Sequence, residues 1–238
     1  MKSMRSRYPT PKKRYTKEQW LMLLDLLQLQ LGKALDSLGG KHLSLHQHFE
    51  VYSAVHINRT AQGYVVLRKA GLSKASVLLV RTAIEAMFRL QAVKSNPDLI
   101  CQIAYGESLE ERKMVRALPQ KKSQKLLLRI EKQWAQFKKS YIKRFPAHQF
   151  VEKPITLADV AKAANLESVY ATHYRLYCKH THATFRATTG GFGDNPLQDD
   201  PTAAICVIAG IETAVAVGGV APEFADLAQK FKEMSGLK

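Results

Sequence analysis

The segment YRLYCKHTHATFRATTGGFG, residues 174–193, carries one arginine, Arg175, followed by His180 and His182. A histidine titrates near neutrality, so it can take a proton from a hydroxyl or return one to a leaving oxygen. A nearby guanidinium can offset the charge that builds on a phosphorus centre during displacement. Together these are the parts of metal-independent RNA cleavage, with a ribose 2′-hydroxyl as nucleophile. On a helix, His182 lies about 20° round from Arg175 and His180 about 140°. His182 is therefore the expected acid/base, Arg175 the expected transition-state cation, and His180 the second histidine within range. Lys179 and Arg186 share the face of the Arg175–His182 pair. Thirteen arginines and eight histidines in 238 residues yield about one such spacing by chance, so the pattern needs support from elsewhere.

The elements that must position these residues read as helices throughout. Apolar residues recur at spacings of three and four, and no stretch alternates as a strand would. Thr16, with Gln19 three positions on, predicts a capped helix that runs to Gly39-Gly40. A second helix is expected over about 43–70, and a third after a Ser73 cap, ending before Ser95-Asn96-Pro97. The third is apolar nearly all round and should be central. Asn96-Pro97 predicts a short helix start, followed by helices over about 107–117 and 121–145. Thr156 should cap LADVAKAAN, and the opening segment falls on a helix over about 166–187 that stops at the Gly190-Gly191 pair. Helices near 202–218 and 222–234 complete an all-α, multi-helix bundle. The first seventeen residues hold seven Lys or Arg, two prolines and no acid. Residues 1–16 are thus expected to be a flexible basic arm, and 17–238 a single all-helical domain.

Charge points to the partner. Thirty-six Lys and Arg against twenty Asp and Glu give a net charge of +16, which favours anionic partners. The excess concentrates between Arg112 and Arg144, where twelve Lys and Arg accompany one acid, Glu131. On a helical wheel Leu127, Ile130, Trp134, Phe137 and Tyr141 form one stripe, while Lys125, Arg129, Lys132, Lys139 and Lys143 gather opposite. The first face should dock on the protein and the second should track phosphates, with no means of reading base sequence.

Two polar ladders share one spacing. Arg81, Glu85 and Arg89 lie at i, i+4 and i+8 on the otherwise apolar third helix. Tyr174, Cys178 and His182 repeat that spacing on the later one. A buried carboxylate needs partners, so Glu85 is expected within hydrogen-bonding reach of Arg81 and of Tyr174 or His182. If the network is fully buried, removing Glu85 should cost about 3–5 kcal/mol.

The stretch LRKAGLSKASVLLVRTAIEAMFRLQAVKSNPD, with its flank back to His56, resembles a bacterial family of uncharacterised helical proteins related in architecture to abortive-infection proteins. In that family a helix with an R-x-x-x-E pattern pairs with a later helix of the form Y-x-x-x-S-x-x-x-H. Arg81 and Glu85 match the first, and Tyr174, Cys178 and His182 the second, with cysteine where serine is usual. An arginine and a histidine with four to six residues between is likewise similar to the signature of HEPN-type ribonucleases. Leu176 stands where a polar residue often follows that arginine. The resemblance implies a helical bundle, a phage-defence or toxin-like role, and a site assembled in a homodimer.

Other classes are disfavoured. A metal reading would need Cys178 and His182 with further ligands from His42, His46 or His48, and neither an acidic partner nor a paired cysteine motif supports it. No metal or cofactor is expected. No G-x-S-x-G elbow or phosphate-cradling glycine loop is present. Three dispersed cysteines and no secretory signal point to a reducing cytoplasm. The apolar run over 202–221 contains Glu212 and many small residues, which suits a tightly packed core helix better than a membrane span. Two expectations follow: an RNA-acting protein, cleaving without a metal, or a non-enzymatic nucleic-acid-binding or protein-interaction module. In the second, Arg81, Glu85, Tyr174 and His182 only brace the core.

Overall fold

The computed structural model describes residues 15–146, 149–175, 177–178 and 196–236, and within these the regular structure is entirely helical. In chain order the helices are α1 (Lys17–Asp36), α2 (Leu45–Lys69), α3 (Ser73–Ser95), α4 (Leu99–Arg116), α5 (Gln120–Arg144), α6 (Leu157–Ala163) and α7 (Glu167–Val169). A π-helical turn, Tyr170–Tyr174, continues α7, and α8 (Pro196–Ala216) and α9 (Phe224–Ser235) follow. The expected all-α class is what the structure shows. Of the basic arm, only Tyr15 and Thr16 fall within the described residues. Within 17–238, read from sequence as one domain, contacts gather into two compact units. One comprises the described residues up to Leu90 and from Ser168 onward, and the other spans Gln91–Glu167.

Local signals explain most helix ends. The Thr16 hydroxyl accepts from the Gln19 amide at 3.3 Å while the Gln19 side chain accepts from the Thr16 amide at 2.8 Å, closing the expected capping box. Ser44 and Gln47 form a second one at the start of α2. Thr156 caps α6 by accepting from the Asp159 amide at 3.2 Å. Two boundaries differ from expectation. Asn96 and Pro97 do not open a helix of their own: the Asn96 side chain accepts from the Asp98 amide at 3.1 Å, a turn that leads straight into a continuous α4. Ser73 is the first residue of α3 rather than its cap, and its hydroxyl is engaged by Arg68 instead.

In the first unit α8 packs against α1, α2 and α9, and α3 buries much of its length, from Val77 to Val93. The small residues of α8 allow its packing. Ala203, Ala204, Ala209 and Ala214 are all buried, and a side chain at Gly210 would meet Leu31 of α1 at 3.0 Å. Beyond α8, a side chain at Gly219 would lie 2.7 Å from the backbone oxygens of both Ala34 and Ala214. Among the described residues, no helix is long and apolar enough to cross a membrane.

Into this apolar packing the chain inserts a charge pair. The guanidinium of Arg68 donates from Nε to Asp200 Oδ1 at 3.3 Å and from Nη2 to Oδ2 at 3.2 Å. Their side chains are 3% and 1% exposed. The Tyr64 hydroxyl, one turn before Arg68, also donates to Asp200 Oδ1, and Arg68 Nη1 donates to Ser73 Oγ at 2.7 Å. Every charged atom therefore has a partner, which is the condition for carrying an ion pair in a core. Removing one partner strands the other: Arg68→Ala or Asp200→Ala should lower stability by about 3–5 kcal/mol in urea denaturation. The double change Arg68→Met with Asp200→Leu should recover most of that loss, and equal losses in single and double variants would contradict the pairing.

Candidate functional site

The polar ladder of α3 meets the π turn within the first unit. Arg81 Nε donates to Glu85 Oε1 at 3.1 Å, and the Tyr174 hydroxyl donates to the same oxygen at 2.9 Å. Arg81 Nη2 reaches the Tyr174 hydroxyl at 3.4 Å, and its guanidinium lies 5.5 Å from the centre of the Tyr174 ring. Tyr174 stacks on Tyr170 at 5.2 Å and meets Phe88 edge-on at 6.0 Å. The two tyrosines, four residues apart on the π turn, lie nearly parallel on one side of it.

Burial tempers the energetics. The Arg81 and Glu85 side chains keep 26% and 25% of their exposure, so the network is half-buried rather than sealed as expected. Burial works against the Arg81 cation, but Tyr174, Cys178 and Glu85 outweigh it and raise its pKa. Burial first, then Cys178 and Glu85, push the Tyr174 phenol above its ordinary value. Cys178, one turn on, is half-buried, as is Arg89 on α3.

Three residues beyond Tyr174, the buried Tyr177 donates to Asp199 Oδ1 at 2.8 Å. Tyr174 is thus tied to α3 and Tyr177 to the first turn of α8. Arg175, between them, points to solvent. His180 and His182, the other expected catalytic residues, lie outside the described residues. His173 is half-buried, with a pKa lowered by burial and Thr172 Oγ1 at 3.0 Å from its Nδ1. Among the described residues no group of His, Cys, Asp and Glu is arranged to hold a metal ion.

The expected phosphate track lies in the second unit. Lys125, Arg129, Lys132, Lys139 and Lys143 are all exposed on α5. On its other side Ile130 and Tyr141 are buried, and Trp134 and Phe137 are half-buried. Trp134 packs on Tyr105 of α4 at 5.3 Å, Phe137 at 5.4 Å and Phe150 at 5.7 Å, so the aromatic stripe is core. Glu152 accepts from the Trp134 indole at 2.9 Å and pairs with Lys138 at 3.3 Å, removing that lysine from the free row.

With this geometry in place, one family profile matches residues 49–199, well over half of the chain. The chain belongs to DUF5677, a family of unknown function. No curated protein and no solved structure matches it. The DUF5677 span opens in α2 and closes at Asp199, so it holds both ladders, the π turn and all of α5. Membership agrees with the coarser part of the resemblance, an uncharacterised helical family; nothing in these matches connects it to abortive-infection or HEPN-type proteins.

Sequence reasoning missed the Tyr64–Arg68–Asp200 cluster and the Tyr177–Asp199 bond. The available signal was the Asp199-Asp200 pair before an apolar helix, with Tyr64 and Arg68 one turn apart on another.

Two measurements follow. Glu85→Ala removes an acceptor shared by a cation and a phenol in a half-buried setting, so it should cost about 1–3 kcal/mol, with Tyr174→Phe at the lower end. An unchanged unfolding midpoint for Glu85→Ala would mean that the contacts add nothing. Burial also raises the phenol pKa of Tyr64, Tyr141 and Tyr177 alongside Tyr174. A raised folded pKa gives stability that is fully present below the unfolded value, about 10 for tyrosine, and is lost as pH climbs from there towards the folded values. Stability should therefore fall with alkaline pH above about 10, with phenolate absorbance from these four rising together with unfolding rather than before it.

Proposed function

We propose that the protein binds RNA through α5 and cleaves it without a metal. The observation that carries the binding half is the polarity of that helix: five exposed cations stand opposite an aromatic side engaged in packing. Such a row neutralises successive phosphates and releases their counterions, giving affinity that depends on salt and little on sequence. In support of chemistry, Arg175 is exposed between two tyrosines that hydrogen bonds hold to different helices. A guanidinium on a fixed base costs little reorganisation when it meets a developing charge. In this reading His182 moves the proton and Arg175 offsets charge on the phosphorane-like transition state. The HEPN-like assignment, the homodimer and the phage-defence or toxin-like role rest on the motif resemblance of Arg81, Glu85, Tyr174, Cys178 and His182. The rival reading, a non-enzymatic module, is favoured by the bracing that Glu85 and Arg81 give Tyr174.

Binding and cleavage are tested separately. Replacing Lys125, Arg129, Lys132 and Lys139 with glutamine should flatten the dependence of log affinity for single-stranded RNA on log salt by up to about three units. An unchanged slope would exclude α5 as the track. Purified protein incubated with bulk RNA and a chelator should cleave it, and His182→Ala and Arg175→Ala should each slow cleavage about 10²–10⁴-fold, with His180→Ala affecting it less. Binding without chelator-resistant cleavage would leave the module reading.

A further inference from the structure

The α4–α5 hairpin of the second unit ends in more apolar surface than its own packing uses. Tyr105 of α4 meets Trp134 of α5, so the two helices run antiparallel from a short connection at residues 117–119. Close to that connection Val115 and Ser123 are buried and Leu127 is half-buried, which closes the contact between the helices. Met114, Leu118, Leu126 and Leu128 remain exposed around it, Met114 at 66% and Leu128 at 67%. Leu126 and Leu128 are two residues apart, about 200° round the helix, so the apolar side chains surround the end of the hairpin rather than line one groove. Arg116, Lys125 and Arg129 stand exposed among them. Residues 112–130 hold seven Lys or Arg and no acid.

We propose that the end of this hairpin docks on an anionic lipid bilayer, its apolar side chains entering the acyl boundary and its cations meeting the headgroup phosphates. Exposed apolar surface rimmed by charge marks an interaction site, and here the occupant must offer negative charge and an apolar phase together. RNA offers phosphates, but its bases stack on aromatic rings, and none of these four side chains is aromatic. A protein groove receives one face of a helix, whereas these side chains point to several sides. A bilayer interface accepts apolar side chains from any direction and holds phosphates at the level that long cationic side chains reach. Each Lys or Arg close to an anionic leaflet strengthens the attraction about fivefold. The docking is peripheral: among the described residues no helix is long and apolar enough to cross the bilayer. This surface goes beyond the RNA reading and does not rest on it. Lys125 and Arg129 suit either kind of phosphate, but the apolar side chains suit only the bilayer.

Co-sedimentation with vesicles separates the two contributions. Phosphatidylcholine vesicles containing phosphatidylserine should carry the protein down, and phosphatidylcholine alone should not. Met114→Gln/Leu128→Gln removes two apolar side chains and no charge, and it should weaken vesicle binding at least about tenfold. Both side chains already face water, so the unfolding midpoint should stay where it is. Arg116→Gln/Lys125→Gln/Arg129→Gln should weaken vesicle binding about a hundredfold. A protein that does not sediment with phosphatidylserine vesicles would overturn the proposal. Undiminished binding by Met114→Gln/Leu128→Gln would overturn it too, because the attraction would then be electrostatic only. Self-association that disappears in that variant, with no vesicle binding, would assign the surface to a second copy of the chain and equally end the proposal.

Discussion

An ion pair sealed from water holds the first unit in register. Arg68 and Asp200 lie on α2 and α8, and desolvating them is tolerable only while their forked geometry persists. Tyr64 adds a hydrogen bond to Asp200 and Ser73 one to Arg68, so the pair also ties in the start of α3. Apolar packing sets how closely α8 approaches its neighbours, through Gly210 against Leu31 and through buried Val207 and Ile211, and the ion pair adds a polar constraint to that fit. A slide of one turn would bury two unpaired charges, and that penalty selects one arrangement.

The candidate site takes its geometry from the same place. Asp199 precedes Asp200 in the opening turns of α8 and holds Tyr177. Glu85 and Arg81 of α3 hold Tyr174. The segment bearing Arg175 is thus tied to two helices that the core network also engages, through Ser73 on one side and Asp200 on the other. On the π turn Tyr170 and Tyr174 stack on each other beside Phe88. The second unit uses another device: an aromatic cluster on one side of α5 leaves its cations no direction but outward.

Much of this was legible in the residues. Caps at Thr16 and Thr156 act over three residues, so local chemistry determines them. The split of α5 into aromatic and cationic sides follows from helical periodicity, and the Arg81–Glu85 contact from i,i+4 spacing. The pairing of Glu85 with Tyr174 could be anticipated because a carboxylate on an apolar helix requires a donor. Its half-buried state could not be anticipated, since exposure depends on how closely two helices approach. Asn96 and Ser73 carry good capping side chains, yet both are used otherwise, one in a turn and one to satisfy Arg68.

By itself the sequence determined the helical class, most helix ends, the charge asymmetry of α5 and the spacing of Arg175 from its histidines. Each of these arises from interactions between residues a few positions apart. Only the tertiary structure decided that α8 packs against α1, α2 and α9, that Arg68 and Asp200 form the core pair, and that Tyr177 reaches Asp199. The residues of the core pair are 132 positions apart. Tyr64 one turn earlier is the only local hint at Arg68, and it is one particular approach between helices, with its desolvation, that gives this arginine its partner.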